Sequence, residues 1–94
     1  MPAVGVITFE LRLDESHSLK DKRHFVKSLK DRLRSKFNVS VAEIDYQDLW
    51  QRALVAAVTV ASDHGPAEKV LQSVEEEAAA LLGPELAGAT VEWL

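Results

Sequence analysis

The sequence of 94 residues predicts one α/β (α+β) domain in the order β-α-β-β-α-β, and three observations carry that expectation. From Gly5 to Leu13 the residues alternate apolar and polar with a period of two, the mark of a half-buried strand. Two later segments, Leu19 to Phe37 and the stretch after Pro66, repeat their apolar residues at helical spacing. Between them lies Ala53-Leu54-Val55-Ala56-Ala57-Val58, an apolar run on both parities that suits a central strand. The order is the split βαβ pattern, a ferredoxin-like sandwich with two helices on one face of an antiparallel sheet.

Each element has its own warrant. In the first strand Ile7, Phe9, Leu11 and Leu13 point one way, with Thr8, Glu10 and Arg12 opposite. Ser18, with Asp21 three residues later, makes a capping-box signature before the first helix. Its inward set is Leu19, Val26, Leu29, Leu33 and Phe37, and Asn38 is suited to a left-handed helix end. Val39 to Tyr46 returns to β character, with Val39 and Val41 on one face and Ala42, Ile44 and Tyr46 on the other. After a turn around Gln47-Asp48-Leu49, the third strand runs from Arg52 to Ala61. Ser62 and Asp63 supply capping oxygens and Pro66 suits a first helical turn, so a second helix follows, with Val70, Leu71, Val74, Ala78 and Leu81 inward. Gly83-Pro84 ends it, and Ala89 to Leu94 has the length for a last strand.

Residues 1–94 are enough for one core and too few for two. Without cysteine there is no disulfide framework, thiolate metal site or cysteine nucleophile. No basic and apolar leader follows Met1 and no apolar run reaches the ~20 residues of a membrane span, so the expected location is the cytoplasm, with no membrane partner. The net charge of −4 is unevenly distributed. Lys20 to Lys36 holds eight cations against Asp21 and Asp31, whereas Asp63 to the end holds seven acids against Lys69.

The chemistry of an active site is not visible. Gly5, Gly65, Gly83 and Gly88 lack the spacing of a phosphate loop, and His17, His24 and His64 form no metal-binding pair. The carboxylate pairs Asp14-Glu15 and Asp45 with Asp48 read as turn residues, so no catalytic residue, metal or cofactor is expected. The two central strands also lack the aromatics on which RNA-recognition sheets of this fold stack bases.

Two features point to binding instead. Lys20, Arg23, Lys27, Lys30 and Arg34 are spaced 3, 4, 3 and 4, which places all five on one stripe beside the apolar face of the first helix. Such a ridge suits the phosphates of RNA, provided that Glu75 or Glu77 of the second helix does not neutralise it. The second feature is Asp45 to Arg52, a turn without glycine or proline that gathers Tyr46, Trp50 and Arg52, types enriched at interface hot spots. These three are candidate partner-binding residues, with Trp50 folded over the open end of the core as the structural alternative. A third expectation comes from the central strand. The helices cover one sheet face, so Val55, Ala57 and Ala61, or the opposite set Leu54, Ala56, Val58 and Val60, are left for a homodimer to cover.

Ser18-Leu19-Lys20-Asp21-Lys22-Arg23, then Phe37 to Glu43, then Gln47-Asp48-Leu49-Trp50-Gln51-Arg52-Ala53, resemble the YlxP-like family. The resemblance spans nearly the whole chain. It implies a small bacterial protein of unknown function with a ferredoxin-like fold, from a family often encoded beside translation-initiation and ribosome-maturation genes, and it carries no catalytic residues over. The expectation is therefore a non-enzymatic binding module with RNA or a ribosomal subunit as partner and no DNA, the alternative being a self-associating module.

Overall fold

The alternation along the first strand persists in the computed structural model, which describes residues 1–94. In β1, Ala3–Arg12, residues Ile7, Phe9 and Leu11 are fully buried, while Val6, Thr8 and Glu10 on the other side are half-buried. The chain continues through α1 (Leu19–Lys36), β2 (Ser40–Asp45), β3 (Arg52–Ala61) and α2 (His64–Leu82), then a single 3-10 turn, Gly83–Glu85, and β4 (Leu86–Trp93). The four strands form one antiparallel sheet in the order β2-β3-β1-β4. This is the ferredoxin-like β-α-β-β-α-β architecture.

The helices start and stop for local reasons. Ser18 caps α1, its Oγ accepting from the Asp21 N–H at 3.0 Å while the Asp21 carboxylate accepts from the His17 N–H at 3.1 Å. Asp21 in the first turn and Arg34 and Lys36 in the last complement the helix dipole. Asn38 does not take the left-handed conformation expected of it. Phe37 caps the helix in an extended conformation, and positive φ occurs only at Tyr46 and Gly83. Asp63 begins α2 without a side-chain capping bond; its carboxylate lies 3.8 Å from the amino terminus instead. Gly83, with φ of 57°, ends that helix, and β4 starts at Leu86, three residues before the expected Ala89.

Ile7, Phe9 and Leu11 meet Ala53, Val55 and Ala57 of β3, Val41 of β2, and Val26, Leu29, Leu33, Leu71, Val74, Ala78 and Leu82 from the helices in one core. Helix two turns slightly from its expected face, with Ala67 and Leu82 buried where Val70 and Leu81 are half-buried. Leu19 and Phe37 at the two ends of α1 are likewise only half-buried. Gly5 is set by close approach, since a Cβ there would lie 2.7 Å from Leu71 Cδ1 and from the Trp93 ring. That glycine lets α2 and β4 close over the end of β1.

Candidate functional site

All five ridge cations lie on the flank of α1 away from α2. At about 100° per residue, Arg32 and Lys36 occupy the flank that faces α2. There they converge on Glu77, at 2.9 and 3.0 Å. The Lys36 hydrogen bond, with Arg32 behind it, holds the Glu77 carboxyl below its ordinary range. Glu77 is thus occupied by cations outside the ridge. Lys20, Arg23, Lys27 and Arg34 are exposed and Lys30 is half-buried. Within the ridge, Asp31 alone acts as counter-charge, pairing with Lys27 at 2.7 Å and Arg34 at 3.3 Å. Lys27 is first among the causes that lower its carboxyl.

One cation of α1 has a different fate, which the sequence reading missed. Lys22 is fully buried. Its Nζ donates to the carbonyls of Tyr46 (2.6 Å), Gln47 (3.2 Å) and Arg52 (3.3 Å). An ammonium has three donors, and these acceptors use all of them. Glu43 Oε2, 2.9 Å away, is off the angle for a further hydrogen bond and acts through its charge. A buried ammonium is tolerated only with such partners. The signal was present in the sequence: Lys22 lies 4, 7 and 11 residues before Val26, Leu29 and Leu33, on the apolar stripe itself.

The clamp sets the shape of the β2–β3 loop. Tyr46 sits at φ 64°, unfavourable for a residue with a Cβ by about 1–2 kcal/mol. It is held by Lys22 at its carbonyl and by the Asp45 carboxylate, which accepts from its N–H at 2.7 Å. Gln51 ties the loop to the β1–α1 connection through the carbonyls of Asp14 and Ser16, both at 3.2 Å. The Arg52 guanidinium lies 4.2 Å over the Tyr46 ring and donates to Glu10 at 2.6 Å and to the Tyr46 hydroxyl at 3.2 Å. The structure therefore joins Tyr46 to Arg52. Trp50 does not cover the core: it is 52% exposed, lining a shallow groove with Asp48, Leu49, Gln51 and Arg52.

The sheet face opposite the helices is resolved in favour of the second candidate set. Cross-strand pairing puts Val4 beside Val60, Val6 beside Val58 and Thr8 beside Ala56, with Ala42 of β2 beside Ala56 and Thr90 of β4 beside Thr8. Leu54 and Val58 are half-buried and Val60 is 56% exposed. The Glu10–Arg52–Tyr46 network stands at the end of this face. No group of three or more His, Asp or Glu side chains is gathered to hold a metal ion, and no helix is long and apolar enough to cross a membrane.

Comparison with known proteins agrees with the fold and names no activity. The model of a family described as "Protein of unknown function (DUF503)" matches residues 4–90. The uncharacterized protein YlxP of Bacillus subtilis (strain 168) is 41% identical over 71 residues, 76% of this chain and 77% of that one. Among solved structures, the de novo designed protein Foldit4 is similar at a TM-score of 0.60 and 14% identity, covering 100% of this chain and 97% of its own. A dimeric ferredoxin-like protein of unknown function from Thermobifida fusca YX reaches 0.50 at 16% identity, covering 97% and 90%. At these identities the structural likeness concerns the fold alone.

Proposed function

This chain belongs to the DUF503 family of proteins of unknown function, as its YlxP-like segments implied, and we propose that it is a binding module that holds an RNA phosphate backbone along α1. The observation that supports this reading is the engagement of Glu77 by Arg32 and Lys36, which leaves the ridge facing solvent with Asp31 as its sole paired acid. Lys20, Arg23 and Lys30 make no ion pair within the chain. RNA is the polyanion toward which the family resemblance points.

The net charge of −4 opposes binding, but distance limits its reach. At physiological salt the screening length is ~8 Å, so a local ridge outweighs remote acids. From Lys20 to Arg34 the helix rises about 21 Å at ~1.5 Å per residue, long enough to span several phosphates. Three to five contacts correspond to a log–log salt slope of roughly −2 to −4 and dissociation constants of about 10⁻⁴ to 10⁻⁶ M. A ribosomal subunit would add shape that the ridge alone does not read.

The test is the double variant Lys27→Glu/Lys30→Glu, measured at low salt against a fluorescent RNA oligonucleotide and against purified ribosomal subunits. Both side chains lie off the stripe of Val26, Leu29 and Leu33, so circular dichroism should be unchanged while association is lost. Association that persists in a folded double variant would overturn the reading.

A further inference from the structure

We infer that two copies of this chain pair through the open faces of their sheets. The surface consists of Val4, Val6, Leu54, Ala56, Val58 and Val60, brought together by the β1–β3 register, with Ala42, Thr8 and Thr90 on its flanks. Both helices pack on the opposite side, so no part of the chain covers it.

Charge and area select the occupant. None of those nine side chains ionises, and the charges stand at the margins: Glu10 paired to Arg52, Arg12 and Asp45 at one end, Glu92 on β4. A polyanion finds no cation in the middle of this face, and a charged protein surface would be desolvated without a partner. A second copy offers the same neutral, apolar surface, and a two-fold axis lying between the sheets makes it self-complementary. The size is also sufficient. Strands of ten, ten, eight and six residues at ~3.3 Å each, spaced ~4.8 Å apart, outline roughly 540 Å² per copy. Two copies would bury about 1,100 Å², just above the roughly 1,000 Å² that a specific interface should clear. Twisted sheets meet this way in β-sandwiches, aligned within about 30°. The Tyr46–Arg52–Glu10 network then forms the rim of the interface, the place for polar groups around an apolar centre.

This pairing is independent of RNA binding, because it turns the helical layers outward and leaves both α1 ridges free. Sedimentation equilibrium of the full chain from low to high micromolar concentration tests it, with Val58→Glu and Ala42→Arg as variants. Val58→Glu sets a carboxylate in the centre of the patch; Ala42 is exposed, so Ala42→Arg keeps the fold even where the first variant does not. The expected result is a species of twice the 10.4 kDa chain mass for the native protein. Each variant that keeps its native circular dichroism should dissociate at least ~100-fold more readily. A native chain that stays monomeric at high micromolar concentration would overturn the inference, as would folded Ala42→Arg with an unchanged dimer.

Discussion

Lys22 shows how one residue joins parts of the chain that sequence keeps far apart. Its ammonium binds carbonyls 24, 25 and 30 residues downstream and holds Tyr46 in a backbone conformation that few residues with a Cβ adopt. Replacing it with an apolar side chain of similar length strands three part-buried carbonyls and the buried Glu43 carboxylate together. Breaking a buried charged pair from one side costs about 3–5 kcal/mol, and Lys22→Met should lose that much in urea unfolding. Lys22→Met with Glu43→Gln should recover part of it, because the second change removes the uncompensated charge. A Lys22→Met protein as stable as the native one would mean that water replaces the clamp without loss.

Among the elements, α1 is divided into three stripes with separate tasks. Val26, Leu29 and Leu33 fill the core, Arg32 and Lys36 fasten the helix to α2 through Glu77, and the ridge is left over. Because Glu77 titrates below its ordinary range, that fastening is present at neutral pH and fades as pH falls into the carboxylate range. The packing of α2 and β4 rests on a different detail, the missing side chain of Gly5. Gly5→Ala forces Leu71 and the Trp93 ring apart, since both would stand 2.7 Å from the new Cβ. Overpacking of this kind costs about 1–3 kcal/mol. The expected outcome is a lowered melting temperature with an increase in Trp93 exposure, read by fluorescence in a Trp50→Phe background.

At the scale of the whole molecule, the two outer layers of the sandwich respond to different forces. The helical layer carries the basic ridge, whose interactions salt screens, whereas the open sheet face is neutral and apolar and its association is not screened. Raising monovalent salt from about 50 to 200 mM should therefore weaken RNA association roughly 16- to 250-fold, the slope of −2 to −4 over a fourfold change. Sedimentation over the same range should show the dimer undiminished. A dimer that dissolves with salt would mean that the charged margins, not Val6 and Val58, hold it together.

The sequence by itself determined the order of the elements, the cap at Ser18, the inward side of β1 and the bounds of β3, since each follows from local pattern: apolar periodicity, a capping oxygen, or the limits of an apolar run. It also placed the five ridge cations on one stripe, a matter of helical geometry alone. What only the tertiary structure decided depends on contacts between distant segments. A strand apolar on both parities carries no mark of which side faces solvent, so the open set Leu54, Ala56, Val58 and Val60 was settled by the register of β3 against β1. Glu77 could have met either flank of α1 until the helices were packed. Trp50 was free to cover the core until the loop was pinned by Lys22, a charge on an apolar stripe whose partners lie in another part of the chain.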